Sequence, residues 1–353
     1  MDWFEALTGF VESTGPTGYE ATRGRLAVDG PRLASRVNGR TYGIGRFELV
    51  SLASLRARAR AGARVEGRRG IGVVQGNVRL LHRQPGYAGA LFQVASQFNM
   101  LEMVGPAVTP EHGVTRYAGD PTQGPACAIA AGAATIYRNY FVPVDGGTGQ
   151  RADRQLDGFV DLGAAIARAL GTPEEALWRM RNGYAMFTAD GVDRMSGHVA
   201  SLDEDGRDAL RQRLRIGLHW DVEVTDGMSS PGPQVSQAFC SALPVSYNAF
   251  DLIEGARWQP LATLVLEAAY EARLWAAVLN AQRGVTAQVL LTFLGGGAFG
   301  NDERWIGAGI AHAVRATRAH DLEIAIVSYQ PPTATLLQWA RTLAAAQRAP
   351  SPP

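Results

Sequence analysis

The chain contains no lysine: all 34 of its basic residues are arginine. That absence excludes a lysine nucleophile, a Schiff-base lysine and the lysine of a Walker phosphate loop. Cysteine is nearly missing as well. Cys127 and Cys240 sit in the apolar contexts PACAIAAG and QAFCSAL, which suit small buried hydrophobes and give no disulfide framework. The net charge is +1 at pH 7, so whole-chain charge supplies no attraction to nucleic acid or to an anionic membrane. No apolar run approaches the roughly 20 residues of a membrane span. The opening MDWFEALTGF has neither a basic region nor a continuous apolar one, so cytoplasmic is the expected location. None of the six histidines stands in a metal-ligand spacing, and neither a metal nor another cofactor is expected.

What is present is enough chain, 353 residues, for one large domain and an extension. Residues 1–70 read as an N-terminal extension packing on a core. DWFEALTGFVEST gives a short amphipathic helix with Trp3, Phe4, Leu7 and Phe10 on one side. SLASLRARARAGARVEGRRG gives a second helix and an arginine-rich loop, a solvated face because no aromatic residues interleave with it. From residue 71 the pattern sharpens. GVVQGNVRLL is a strand, a glycine turn and an apolar continuation, and GALFQVASQFN is a strand covered on both faces. DPTQGPACAIAAGAATIYRNYF opens a helix of small residues, with Asp120 or Thr122 as N-cap.

Residues 145–214 read as a helical insertion. RIGLHWDVEVT alternates Ile216, Leu218, Trp220, Val222 and Val224, a strand with one better-buried face. The loop DGMSSPGP leads to another strand, QVSQAFCSAL. Residues 259–281 are a helix with Leu261, Leu264, Val265, Ala268, Ala272, Trp275 and Leu279 along one stripe. Then come the strand QVLLTFL, the loop GGGAFG, the helix DERWIGAGIAHAVRAT and the strand LEIAIVS. Residues 331–353 are a C-terminal helix and a disordered tail, QRAPSPP. Strands alternating with helices predict a three-layer α/β/α domain around a mixed sheet, with the carboxyl-end loops on one rim.

Three consecutive glycines cost conformational entropy that a single turn does not require. Backbone N–H groups of such a loop, and a helix start beside it, form a concavity suited to an anion. DPTQGPACAI supplies a second helix start, entered through Gly124. Two helix starts on one rim with no lysine suit a diphosphate held by main chain. The purely structural alternative is a tight turn at Gly295–Gly297 and a helix–sheet contact at Gly124.

In the order of its elements the chain resembles a macrodomain, the ADP-ribose-binding α/β/α fold, from about residue 71 to 330. VVQGNV is similar to the family's opening strand and Gly-Asp-Ile turn, and LFQVASQFN to its strand and asparagine-bearing loop. DPTQGPACAIAAG is similar to the first phosphate loop and its helix, and VSQAFCSALPV to a strand preceding the substrate side. The helix–strand–GGGAFG–helix–strand series of the C-terminal third matches the family in order.

The resemblance implies ADP-ribose or an ADP-ribosylated substrate as partner. It implies that Gly295, Gly296, Gly297, Ala298, Phe299 and Gly300 form the second phosphate loop, followed by Asn301, with Phe299 against the distal ribose. Gln123 and Gly124 form the first. Asn77 and Val78 stand where the family reads adenine through Asp-Ile; here the carbonyl of Asn77 accepts without charge. Asn99 matches the ribose-side asparagine, with Gln97 and Ser96 as alternatives in other registers of ASQFN.

Some macrodomains only bind ADP-ribose and others hydrolyse its bonds. The poly(ADP-ribose) glycohydrolase branch has a triple glycine and a Gln-Glu-Glu motif; this chain has its triple glycine in the other loop and lacks Gln-Glu-Glu. The candidate acids are Glu102 and Asp120, each able to orient a water or a ribose hydroxyl. Their structural alternatives are an exposed helix residue and a helix N-cap, and the structural alternative for Asn301 and Asp302 is to cap the next helix. The leading expectation is an ADP-ribosyl hydrolase, then a non-catalytic ADP-ribose reader or NAD-metabolite sensor, then an interaction protein without a ligand.

Overall fold

Seven strands form the central sheet of the computed structural model, which describes residues 1–227, 231–248 and 255–348. Part of the loop DGMSSPGP and the tail from residue 349 lie outside the described residues. The N-terminal half supplies β1 (Arg46–Ser51), α1 (Leu52–Ala61), β2 (Gly70–Gln75), α2 (Val78–Leu81), β3 (Leu91–Ala95), α3 (Gln123–Ala130) and α4 (Gly132–Tyr140). The hairpin strands β4 (Trp178–Arg181) and β5 (Tyr184–Phe187) follow, then β6 (Arg215–Glu223) and β7 (Gln234–Cys240). The last elements are α5 (Gly255–Gln282), β8 (Gln288–Leu291), α6 (Glu303–Ala316), β9 (Glu323–Ser328) and α7 (Ala334–Arg348).

The sheet order is β1-β6-β7-β3-β8-β9-β2. The five strands from β7 to β2 run parallel, and β6 pairs antiparallel with both β1 and β7. QVLLTFL and LEIAIVS are neighbours, with Val289 opposite Ile324 and Leu291 opposite Ile326. One face packs on α1, α5 and α6, the other on α2, α3 and α4. The architecture is the expected three-layer α/β/α arrangement. Because five strands run parallel, the loops after β2, β3, β7, β8 and β9 share one rim.

Several local expectations change. β1 and α1, inside residues 1–70, are part of the central sheet and its helical layer. Arg56 of α1 points inward to Asp208 and Glu271, so the arginine run is not wholly a solvated face. The long helix α5 is buried nearly all round, since it lies between the sheet and an outer layer of helices. The helix expected from residue 123 is two helices. At Ala131 the chain breaks (φ −113°, ψ 57°), and Thr225 takes over both sides: its N–H donates to Ala130 O and its hydroxyl accepts from Gly132 N.

Strand β6 is buried on both faces, through a bulge. One extra residue stands between His219 and Val222, with Asp221 at φ 56°. The bulge flips the alternation, so Ile216, Leu218 and Trp220 join the α5 side while Val222 and Val224 join the α4 side. The insertion carries helices at Val160–Ala169, Ala189–Ser201 and Glu204–Arg211, but also the β4–β5 hairpin. No helix among the described residues is long and apolar enough to cross a membrane.

Candidate functional site

The rim loops enclose a cleft of about 200 Å³. Eight of the expected site residues line it: Glu102, Asp120, Gln123, Gly124, Gly295, Gly297, Ala298 and Phe299. A second hollow of about 560 Å³ adjoins it, sharing Ala95, Asp120, Gln123 and Phe293, and carries Asn77 and Val78. The two make one groove along the carboxyl ends of the parallel strands.

One wall is the start of α3. Gly124 is there because the helix lies against the strand end: a Cβ would come within 1.9 Å of Ala95 O and 3.2 Å of Glu102 Cγ. Thr122 holds the N-cap position but its side chain makes no capping bond, leaving the first-turn N–H groups of Gln123 and Gly124 uncapped. The Gln123 side chain accepts from Ala95 N and donates to Gln93 O, which fixes the helix start to β3. Asp120 is not the N-cap. Its carboxylate accepts from Thr122 N at 2.9 Å, closing a turn just ahead of the helix.

The glycine loop forms the facing wall. Gly295 (φ 75°) and Gly300 (φ 70°) need glycine for backbone reasons, and they pack tightly on Ala242 and Ser246. Gly296 packs towards Ile306. Gly297 differs: nothing lies within 4 Å of where its Cβ would be, and it faces the cleft. Among the described residues, the N–H groups of Gly297, Ala298 and Phe299 have no protein acceptor. So backbone conformation and packing account for the glycines at 295 and 300, and neither accounts for the one at 297. The start of α6 is closed off, because the Asp302 carboxylate caps it by accepting from Arg304 N at 2.7 Å. Only one of the two expected helix starts opens on the cleft.

Four expected residues do not line the groove. Gly296 and Gly300 are exposed outside the groove, with their Cβ directions facing Ile306 and Ser246. Asn301 braces the glycine loop, donating to Leu243 O at 2.8 Å and to Gly295 O at 3.3 Å. Asn99 is fully buried: it donates to Gln155 Oε1 (2.7 Å) and accepts from Leu101 N (3.1 Å). Gln155 donates in turn to Asn182, in the hairpin turn, so Asn99 holds the hairpin against the loop after β3. That structural duty removes it from a ribose-binding position. The alternatives Gln97 and Ser96 do line the cleft.

Glu102 lies in the cleft floor, 2% exposed, and not on an exposed helix. Met100, in the left-handed region at φ 63°, turns the chain so that Glu102 faces the cleft. Arg138 of α4 approaches Glu102 Oε1 at 3.4 Å, while Glu102 Oε2 has no partner among the described residues. Burial raises the Glu102 carboxyl from 4.5 to about 7, against the opposing pull of Arg138. A carboxyl in that range can both give and take a proton near neutrality.

Several lining residues have no counterpart in the sequence expectations: Met103, Tyr184, Tyr247 and Phe293 in the cleft, and Tyr329 in the adjoining hollow. Phe299 packs on Tyr184 and Tyr247 with ring centroids 5.4 and 5.6 Å apart. Tyr184 comes from the insertion and donates to Met103 O at 2.6 Å. A signal for it exists, since Asn182-Gly183 between apolar runs is a hairpin turn, with φ 47° and 80°. Asn77 caps α2 by accepting from Arg79 N at 2.9 Å, and stays exposed at the groove's far end.

No protein-family model matches the chain, and no curated protein matches it. Among solved structures it is similar to the poly(ADP-ribose) glycohydrolase of Deinococcus radiodurans in complex with ADP-ribose. That match has 13% identity over 85% of this chain and 94% of that one, with a TM-score of 0.42. It is also similar to the poly(ADP-ribose) glycohydrolase of Thermomonospora curvata, at 12% identity over 90% and 93% of the two chains and a TM-score of 0.42. The same enzyme bound to the inhibitor ADP-HPD matches at 13% identity over 90% and 93%, with a TM-score of 0.40.

Proposed function

We propose that the groove binds ADP-ribose, or a related nucleotide diphosphate, and that the protein hydrolyses an ADP-ribosyl bond at its Glu102 end. One observation carries this reading. A buried carboxyl with a free oxygen sits in a cleft walled by an uncapped helix start and by open glycine-loop backbone. Adenine lies by Asn77, Val78 and the exposed ring of Tyr329, and the diphosphate between Gln123–Gly124 and Gly297–Phe299. The distal ribose then rests on Phe299 with its anomeric carbon towards Glu102. In the reaction water adds to that carbon and the bond to the leaving group breaks. Protonated Glu102 supplies the leaving group's proton and recovers one from the water, with Asp120 orienting that water.

The non-catalytic reader stays as a second reading, favoured by how little of Glu102 is exposed. Calorimetric titration with ADP-ribose tests the site for both. The wild type binds and Gly297→Glu, which projects a carboxylate into the cleft without crowding the fold, does not. Equal binding by the two proteins places the ligand elsewhere, and no binding at millimolar ADP-ribose ends the reading.

A further inference from the structure

Behind Glu102 stands a second fully buried charge, the guanidinium of Arg138. Three elements hold it. Nε donates to Met100 O at 3.1 Å in the loop after β3, and Nη2 donates to Thr135 Oγ1 at 3.1 Å on its own helix. Its planar face lies 3.7 Å from the ring centroid of Phe239 on β7, close enough for a cation–π contact. So fixed, it reaches Glu102 through one contact only, Nη2 to Oε1 at 3.4 Å. Nη1 of Arg138 and Oε2 of Glu102 have no partner among the described residues.

A buried pair kept for stability is normally saturated, because desolvating two charges costs several kcal/mol that close, complete bonding must offset. This pair is not saturated. We propose that Arg138 is a positioning residue, which engages one oxygen of Glu102 and so leaves the other, itself buried, unpaired beneath the cleft floor for a group that enters there. The inference rests on the hydrolase reading for its functional meaning, though its geometry does not. Other ionisable groups face the pair without neutralising it. The Tyr117 hydroxyl accepts from Glu102 N at 3.0 Å, Cys127 approaches from α3, and Asp120 shares the cleft. Burial first, and Arg138 second, push His219 of β6 well below 6.5, so it is neutral. Arg138 first, and the Tyr117 hydroxyl after it, oppose the effect of burial on Glu102, and Arg138 is the one cation of the two.

The test is the titration of Glu102, read from the infrared difference between the wild type and Glu102→Gln, and repeated in an Arg138→Met background. Loss of an opposite charge at this range raises a carboxyl by about 1–3 pH units. The Glu102 midpoint, and the alkaline limb of the rate profile for ADP-ribose release, both move up by that amount in Arg138→Met. An unmoved midpoint overturns the proposal, because a residue that only fills space does not change a titration. If Arg138→Met does not fold, Arg138→Lys decides. It keeps the charge but not the fork, so kcat falls while ADP-ribose affinity and the midpoint hold; wild-type kcat overturns the proposal. If the wild type neither binds nor releases ADP-ribose, the hydrolase reading fails, while the infrared midpoints still decide the role of Arg138.

Discussion

Glu102 and Glu271 are both buried, 2% and 1% exposed, and both face arginine, yet they sit in opposite electrostatic states. Glu271, in the helical layer, accepts from Arg56 at 2.6 and 2.7 Å and from Trp275 at 2.8 Å, with His312 Nε2 at 2.8 Å. Burial alone would raise it. The bonds from His312, Arg56 and Trp275 outweigh burial and bring it down to about 2. Glu102, in the cleft floor, has one long contact and a free oxygen, and burial wins, raising it to about 7. The same residue type at the same depth is a structural anchor where its bonding is complete. Where its bonding is incomplete, burial keeps the carboxyl protonated up to about neutral pH.

Breaking the anchor has the largest expected effect on the fold. Glu271→Ala leaves the buried side of Arg56 unpaired and costs about 3–5 kcal/mol in urea denaturation, with turnover per folded molecule unchanged. An intact midpoint would erase the contrast with Glu102. Next in size is the pH dependence of stability. The Glu271 value is lowered from 4.5 to about 2, so its contribution is present above pH 4.5 and is lost as pH falls towards 2. The Glu102 value is raised from 4.5 to about 7, so its contribution is full below 4.5 and is lost as pH rises through 7. Each window is worth up to about 3 kcal/mol at 1.36 kcal/mol per unit. Urea midpoints across pH 3 to 8 should fall at both ends, and Glu102→Gln should flatten only the upper fall. The smallest effect separates two glycines of one loop. Gly295→Ala, at positive φ and against Ala242, costs about 1–3 kcal/mol. Gly297→Ala stays within about 0.5 kcal/mol and weakens ADP-ribose binding instead; equal stability losses would remove the argument that 297 is kept for a ligand.

The layers and the rim were legible because they follow from period and order: QVLLTFL beside LEIAIVS, and glycine-rich turns after parallel strands. Residues whose role depends on contacts far along the chain were not. The bulge at Asp221 turns Val222 and Val224 away from α5, and no local pattern in HWDVEV announces it. The break at Ala131 depends on Thr225 arriving from the end of β6. Asn99 read as a ribose contact only through the macrodomain resemblance, in one of several registers of ASQFN, yet Gln155 and the hairpin turn claim its side chain. Glu102 was legible as an acid near the cleft, but its burial was not, since that comes from the turn at Met100 and from Arg138 on α4. Tyr184 was readable from Asn182-Gly183, in a segment whose helical stretches masked a hairpin.

The most direct test of the central claim is single-turnover release of ADP-ribose from ADP-ribosylated protein and from poly(ADP-ribose), comparing the wild type with Glu102→Gln at pH 7. A group that supplies and recovers the proton is worth about 10²–10⁴-fold. The wild type should release ADP-ribose from at least one of these substrates, and Glu102→Gln should be slower by that factor while binding ADP-ribose with unchanged affinity. Equal rates for the two proteins, or no release by a wild type that binds ADP-ribose, would contradict the account.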